Sequence, residues 1–185
     1  DVGGSGGAIY NLGTLTANSC TFSGNVAHYN GGGIYQIGSA VIYNSIIAGN
    51  RLLIASKAVD VSGAFTSLGH NLIGQTDVSS GWIASDLTGT AATPLAPGLG
   101  PLQNNGGPTP TRALLATSAA IDAGDDAVLG APYNLGTDQR GFPRRAGDHV
   151  DIGAYEFGAE ASGHTRLVTT LADSGLGSLR DTITN

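Results

Sequence analysis

The chain has 185 residues, of which 41% are hydrophobic, only 12% are charged and 30 are glycine. This composition favours a turn-rich β protein over a helical one, because helix surfaces usually carry many Lys, Glu and Arg residues. The formal charge of -6 argues against nucleic acid or an anionic membrane as a partner, since both require clustered positive charge. No apolar run of the sequence is long enough to predict a membrane span.

The first predicted elements belong to an internal repeat. Residues 6–25 (GGAIYNLGTLTANSCTFSGN) align with residues 31–50 (GGGIYQIGSAVIYNSIIAGN) at a constant offset of 25 without a gap. A fixed period of this length is typical of solenoids, whose units bury their apolar faces against copies of themselves. The short β-branched and aromatic runs are predicted strands, and the Gly and Asn residues between them are predicted turns.

The repeat also predicts which side chains stack. Residues one period apart should lie on neighbouring strands about 4.8 Å apart. Tyr10 is then predicted to lie over Tyr35, and Asn25 over Asn50, with the asparagine amides bonded along the stack. We interpret both pairs as scaffold features, with ligand binding by the tyrosines as the alternative. Cys20, the single cysteine, is predicted to be a small residue inside a coil.

The next two segments are less regular. Residues 51–74 keep the length of one coil and contain an alternating pattern around Val61 and Phe65, so they are predicted to form a third, divergent coil. Residues 75–101 are rich in Thr, Ser, Gly and Pro, and are predicted to be a loop or an excursion over the stack.

Charge is concentrated near the end of the following segment, residues 102–157. Asp138, Arg140, Asp148, Asp151 and Glu156 lie within nineteen residues of a sequence that is otherwise poor in charge. A buried Arg is stable only when it is paired. Arg140 is therefore predicted to bond Asp151 or Glu156 and to pin this segment across the end of the stack.

The last residues change character again. Residues 158–165 (GAEASGHT) are predicted to contain a linker, and residues 166–185 are predicted to form a strand, a turn and a short amphipathic helix. The apolar residues expected to mediate assembly are Leu167, Val168 and Leu171 on the strand and Leu179 and Ile183 on the helix. A strand followed by an amphipathic helix is typical of the beginning of a domain.

Several motifs resemble those of known bacterial proteins. The repeats with the pattern GG-x-IY-x-x-G resemble the coils of right-handed parallel β-helix surface proteins of the polymorphic outer-membrane and pectate-lyase-like type. The ordered motifs NLIG, PLQNNGGPTPTRALL, AIDAGD, TDQRGFPR and VDIGAYEF resemble the region that closes such β-helices in proteins described as choice-of-anchor Q. LVTTLADSGLGSLRDTI, near the end of the chain, resembles the opening of another domain of this family.

The resemblance and the repeat together imply an all-β fold, a right-handed parallel β-helix followed by a strand and a short helix. The expected organisation is β-helix coils in residues 1–75, an irregular excursion and closing region in 76–157, and a linker in 158–165. Residues 166–185 are expected to cap the next subunit or domain. Because the opening motif follows the closing motif, the chain is expected to be one unit of a tandem array or of a head-to-tail homopolymer.

The resemblance also implies a secreted or cell-surface protein without enzymatic activity. We therefore expect a structural subunit of an extracellular filament, in which residues 166–185 complete the neighbouring β-helix by strand addition. A stalk or adhesin module of a giant surface protein is one alternative, and a surface polysaccharide is a further candidate partner. A β-helix polysaccharide lyase or hydrolase is the other alternative.

Residues with the chemistry of an active site or a metal site are few. A lyase or hydrolase would have to use Asp60, Asp77 and Asp86 with Lys57 or Arg51, and the spacing of these residues does not indicate an active site. The four His residues are scattered without the spacing of metal ligands.

One acidic turn is the only candidate for a cation. Asp122, Asp125 and Asp126 are candidate ligands for Ca²⁺, which binds carboxylate and carbonyl oxygens. A turn in which these side chains accept main-chain N–H groups is the favoured interpretation. No other cofactor is predicted.

Overall fold

The structure is a computed structural model, and it describes residues 4–54 and 60–160. Within these ranges the chain is all-β, and its helical content is one 3-10 turn at Asp126–Leu129. The strands, numbered β1 to β15 in chain order, are Ile9–Asn11, Thr14–Asn18, Thr21–Phe22, Val26–Ala27, Ile34–Gln36, Ser39–Tyr43, Ile46–Ile47, Arg51–Leu52, Val61–Ala64, Thr66–Ser67, Leu72–Ile73, Ser79–Ser80, Leu87–Thr88, Leu99–Gln103 and Thr111–Leu114.

Some sequence predictions concern residues outside the described ranges. These are the strand and helix of residues 166–185 with Leu167, Val168, Leu171, Leu179 and Ile183, most of the linker 158–165, and Lys57.

The repeat folds into parallel sheets, as predicted. Three sheets carry the stack, in the strand orders β1-β5-β9-β12, β2-β6-β10 and β3-β7-β11-β13. Every strand pair within them is parallel. The first two coils are paired at the sequence offset of 25, with Tyr10 opposite Tyr35 and Phe22 opposite Ile47. The internal repeat of the sequence is therefore the repeat of the structure.

The stack continues beyond residue 75, so the prediction of an irregular excursion over residues 75–101 is wrong in part. Strand β12 pairs with β9, and β13 pairs with β11, both in parallel. The ladder needs only main-chain groups, as in the bond from Phe65 N–H to the Ser80 carbonyl, and a segment rich in Ser and Thr supplies them as well as an apolar one. This last turn is short, because Leu87 pairs with Leu72 only 15 residues earlier, and it bypasses the sheet of β2, β6 and β10.

The three sheets enclose one apolar core. Its fully buried members come from each sheet in turn: Ile34 and Val61, then Ala40 and Ile42, then Ile47 and Ile73. Because successive side chains of a strand point to opposite faces, the neighbours of the last two, Ile46 and Leu72, point out of the stack. A second cluster covers them with Leu114, Ala120 and Ile152 from the closing region. The two central strands of the sheet of β3, β7, β11 and β13, namely β7 and β11, are thus buried on both faces.

The predicted stacks of like side chains are confirmed. The rings of Tyr10 and Tyr35 stack at 5.4 Å with an interplanar angle of 18°. Asn25 Nδ2 donates to Asn50 Oδ1 at 2.9 Å, and Asn50 Nδ2 donates to Asp60 Oδ1 at 2.8 Å. Asp60 therefore extends the asparagine ladder into the third coil, where the sequence repeat has faded.

Glycine recurs at the positions where the chain turns from one sheet to the next. Gly24 and Gly49 occupy equivalent positions in the first two coils, with φ of 77° and 73°. A side chain is strained in this left-handed region, which accounts for glycine at both positions.

A cavity created in the apolar core should lower the stability of the fold. Ile47→Ala should lower the free energy of unfolding by about 2–5 kcal/mol, because Ile47 is fully buried and its neighbours are fixed by the ladders. Leu12→Ala is the control, since Leu12 is 65% exposed and its truncation should change stability by less than about 0.5 kcal/mol. Denaturant unfolding measures both, and equal losses would contradict the assignment of the core.

Candidate functional site

The core reaches both ends of the stack. At the far end, Trp82 stacks on Phe65 with ring centroids 5.1 Å apart, and its Nε1 donates to Ser79 Oγ at 2.9 Å. Trp82 is half-buried and packs against the central core at this end. At the first coil, Ile9, Leu15 and Phe22 pack on the same core and are likewise half-buried.

The first coil also presents strand edges. Strands β1, β2 and β3 are the outermost members of their sheets at this end, as the two-residue strands β12, β10 and β13 are at the far end, and within residues 4–54 and 60–160 no further strand pairs with the outer sides of either set. With five residues, β2 is the longest of these six edge strands. An unpaired edge is a template for another strand. The first coil therefore combines free edges with a half-buried apolar interior, and we take it as the candidate assembly site.

The hydrogen bonds show which main-chain groups of β2 point outward. The Gly13 carbonyl accepts from Ser39 N–H, and Ser19 N–H donates to the Tyr43 carbonyl, so both groups point toward the second coil. Alternate residues of a parallel strand bond to opposite neighbours. Thr16 is exposed and lies three positions from both Gly13 and Ser19. Its main-chain N–H and C=O groups therefore point to the open edge.

The closing region runs along the side of the stack. Its Ala154 N–H donates to Thr21 Oγ1 of the first coil, at 3.0 Å. Its Asp125 exchanges two bonds with Asn44 of the second coil, and its Ala123 carbonyl lies 2.9 Å from His70 Nδ1 of the third. The prediction that this region closes the end of the stack is therefore wrong: it lies along the side of three successive coils and covers the outward apolar side chains Ile46 and Leu72 of the second and third.

The predicted pairing of Arg140 with Asp151 or Glu156 is also wrong. The Arg140 guanidinium pairs with Asp138, at 2.7 Å between Nη2 and Oδ2, and both side chains are buried. Arg140 reaches Glu156 only through the main chain, where Nη2 donates to the carbonyl at 2.7 Å. Asp138 is only two residues from Arg140, so this pair can form without ordering distant parts of the chain. Asp151 and Glu156 are farther away in sequence.

Asp151 and Glu156 accept main-chain N–H groups instead. Glu156 is fully buried and accepts from Ala146 and Asp151, each at 3.0 Å. Asp151 accepts from Asp122 at 2.8 Å and from Phe157. Burial raises the pKa of Asp151, and it raises the pKa of Glu156 to about 7. Both carboxyls therefore fasten the turns of the closing region to one another.

Sequence reasoning missed Arg144, which is only 2% exposed. Its Nη2 donates to the carbonyls of Asp151 and Gly153, at 2.8 and 2.6 Å, whereas its Nε has no hydrogen-bond partner. Desolvation lowers its pKa. One signal was present in the sequence, since Arg140, Arg144 and Arg145 are three of only eight Lys and Arg residues.

The three candidate calcium ligands accept main-chain N–H groups, as the favoured interpretation predicted. Asp122 accepts from His149, Asp125 from Ala127 and Asp126 from Val150. Asp125 also accepts from the Tyr43 hydroxyl at 2.6 Å, a bond that lowers the pKa of the carboxyl. Across the described part of the chain, no group of three or more His, Cys, Asp and Glu side chains is placed to hold a metal ion.

The carboxylates considered for catalysis also lie in structural hydrogen bonds. Asp60 is buried and accepts the main-chain N–H of Asn50. Burial raises the pKa of the Asp60 carboxyl. Asp86 accepts from the main chain and side chain of Asn71, at 3.0 and 2.9 Å. Asp77 accepts from Ala91 N–H at 2.7 Å.

Comparison of the chain with protein families, with curated proteins and with solved structures gave no match. In the two described ranges no helix is long and apolar enough to cross a membrane.

The buried carboxyls predict a pH dependence of stability. The pKa of Glu156 rises from 4.5 to about 7 on folding, so the folded state holds its proton more tightly than the unfolded state. The stabilisation linked to this proton is fully present below about pH 4.5 and is lost as the pH rises through about 7. The free energy of unfolding should therefore fall between pH 5 and pH 8, as measured by denaturant unfolding.

Glu156→Gln tests whether Glu156 causes the pH dependence of stability. It replaces the titrating group with a neutral one, so the variant should show a flatter pH profile even if it is less stable at pH 5. Asp148→Asn is the matched control, because it removes a negative charge from an exposed side chain of the same segment and should keep the wild-type slope. An unchanged slope in Glu156→Gln would show that another group is responsible.

Proposed function

We propose that the chain is a non-enzymatic structural subunit of a secreted or cell-surface assembly. In this proposal the stack is a right-handed parallel β-helix, and residues 166–185 of one subunit complete the first coil of the next. Repetition of this head-to-tail contact gives a filament, because a heterologous contact that does not close into a ring propagates.

The observation that carries the proposal is the long strand edge of the first coil. Both ends of the stack have outermost strands without a partner in the described residues, but β12, β10 and β13 at the far end have two residues each, whereas β2 at the first coil has five. Ile9, Leu15 and Phe22, which pack on the core at the first coil, are only partly buried. Such an end would expose main-chain groups and apolar side chains to water unless another segment covered it.

The sequence of residues 166–185 fits the role of that segment. Its predicted strand around Leu167 to Leu171 has about the length of β2, which is the longest of the three edge strands with five residues. The apolar pair Leu179 and Ile183 gives the predicted helix one face to pack on the half-buried interior. Strand addition of this kind obtains affinity from main-chain hydrogen bonds and specificity from side-chain pockets.

The positions of the acids favour a structural role over catalysis. Glycoside cleavage uses a pair of carboxyl groups on either side of the scissile bond. The candidate acids Asp60, Asp77 and Asp86 each accept hydrogen bonds that hold turns of the scaffold. We therefore propose that this chain does not act as a polysaccharide lyase or hydrolase.

Truncation tests the role of the extension. Deletion of residues 164–185 should leave a folded protein that no longer assembles, because the stack keeps its own core and loses only the donated strand. Circular dichroism measures the fold, and electron microscopy and sedimentation measure assembly. Fibres formed by the truncated protein would overturn the proposal.

Thr16→Pro tests the receiving edge without removing any residue. Proline lacks the N–H group that an added strand would use, and it is tolerated on edge strands. The variant should therefore fold but assemble poorly, whereas Thr16→Val, which keeps the N–H group, should assemble normally. Normal assembly of Thr16→Pro would show that the outer edge of β2 is not the contact.

A denaturing gel separates the filament from a stalk made of one long polypeptide. Separate subunits made of these 185 residues should migrate as a band at 18.5 kDa. A single very large band from the native source would instead support the tandem alternative, in which the same contact joins domains of one chain.

A further inference from the structure

Two ladders of side-chain hydrogen bonds run through the stack in one direction. In the first ladder, the main-chain N–H and the Nδ2 of Asn25 both donate to Asn50 Oδ1, at 3.0 and 2.9 Å. The same two groups of Asn50 donate to Asp60 Oδ1, both at 2.8 Å. At each step the earlier coil therefore donates and the later coil accepts.

The second ladder has the same direction. Ser45 N–H donates to Asn71 Oδ1 at 2.9 Å, and the main-chain N–H and Nδ2 of Asn71 donate to Asp86 Oδ1, at 3.0 and 2.9 Å. In the later coils both ladders thus end at a carboxylate, Asp60 in one and Asp86 in the other. Because an ionised carboxylate only accepts hydrogen bonds, neither ladder leaves a side-chain donor unfilled where it ends.

The other end of the first ladder is open. Asn25 and Asn50 are one period apart, so Asn25 Oδ1 holds the position in the first coil that Asn50 Oδ1 holds in the second. Asn50 Oδ1 receives two donors from the coil before it, whereas within residues 4–54 and 60–160 no donor reaches Asn25 Oδ1. The first coil therefore presents an acceptor that a preceding coil would fill with a main-chain N–H group.

A cavity of about 250 Å³ adjoins this acceptor. Asn25 and Phe22 line it from the first coil, Leu102 and Arg112 line it from the hairpin of β14 and β15, and Tyr155 lines it from the closing region. Small-molecule sites usually have volumes of about 300–1,000 Å³. The cavity therefore suits the side chains of a docked segment better than a free small ligand.

Arg112 is the only charged residue among the described residues that line this cavity. It is half-buried, and its Nη1 donates to the Gly100 carbonyl at 3.1 Å. Arg140 and Arg145 each pair with an aspartate, but in the described part of the chain no carboxylate pairs with Arg112. Because hydrogen bonds between charged groups are the stronger ones, Arg112 favours a docked segment that carries a carboxylate.

We propose that this cavity receives the extension, residues 166–185, of the neighbouring subunit. A main-chain N–H group of the extension donates to Asn25 Oδ1, and the carboxylate of Asp173 pairs with the guanidinium of Arg112. This inference rests on the head-to-tail contact proposed above, and it names the groups on both sides of that contact.

The sequence of the extension favours Asp173 over its other acidic residue, Asp181. Asp181 follows Ser178 by three residues, the spacing at which a serine and an acid cap the first turn of a helix reciprocally. Asp173 precedes this predicted helix, in the turn after the predicted strand. It is therefore the acid that is available to Arg112.

This contact gives the assembly a direction. The first coil offers an unfilled acceptor in Asn25 and a cation without a carboxylate partner in Arg112. In the later coils the ladders end at the carboxylates of Asp60 and Asp86, which would repel an acidic segment. The extension therefore adds at the first coil, and every contact along the filament is the same.

Exchange of the two charges tests the pair of Arg112 and Asp173 in the full chain. Arg112→Asp and Asp173→Arg each place like charges together, so each should raise the critical concentration for assembly about tenfold or more. The double variant restores opposite charges at every contact, and its critical concentration should return to within about threefold of the wild-type value. Sedimentation measures assembly, and circular dichroism measures the fold of each variant.

Normal assembly of either single variant, or no recovery in the double variant, overturns the pairing. These outcomes differ from a failure of the head-to-tail contact itself. In that case the wild-type chain would not assemble, or the chain without residues 164–185 would assemble as well as the wild type.

Asn25→Ala tests the open acceptor and should raise the critical concentration about three- to tenfold. Asn11→Ala is the matched control, because Asn11 also donates from the first coil to the second, at Gln36 Oε1, but its Oδ1 already accepts from Gly13 N–H. This control should lower thermal stability and keep the wild-type critical concentration at temperatures where the chain is folded. Wild-type assembly of Asn25→Ala, or equal losses of assembly in the two variants, overturns the role of Asn25.

Discussion

The main-chain ladder between coils is the constraint on which the rest of the structure depends. Each coil satisfies its N–H and C=O groups with the coil before and the coil after, as in the in-register pairing of β1 with β5 and of β2 with β6. This arrangement has no natural stopping point, because every added coil carries the same unpaired edge outward. The places where the ladder stops or is covered are therefore the candidates for contacts with other molecules.

Because of this constraint, three parts of the stack need to be covered, and each is covered in a different way. At the far end the last turn shortens and places Trp82 over the core. Along the side, the closing region buries Ile46 and Leu72, and the ion pair of Asp138 with Arg140 holds its turns together. At the first coil the described residues supply no such cover, and we propose that a neighbouring subunit supplies it.

The sequence predicted the elements that depend on local repetition and missed those that depend on long-range packing. The 25-residue period determined the register of the first two coils, including the stacked tyrosines, because identical residues in identical positions leave one alignment. The last turn was missed, because β12 and β13 use main-chain bonds that composition does not reveal. The partner of Arg140 was missed, because seven charged side chains within residues 138–156 allow several pairings and only the packed turns select Asp138. Arg144 was missed, because the cavity that it lines is formed by segments more than a hundred residues apart in sequence.

The central claim is that residues 166–185 of one subunit contact the first coil of another. A photo-crosslinking amino acid at Leu171 in unlabelled chains, mixed before assembly with ¹⁵N-labelled wild-type chains, tests it directly by mass spectrometry of the cross-linked peptides. If the extension covers the first coil of a neighbour, cross-links will join the unlabelled extension to labelled peptides that contain β1, β2 or β3. Cross-links confined to unlabelled peptides of the same chain, or none to the first coil, would contradict it.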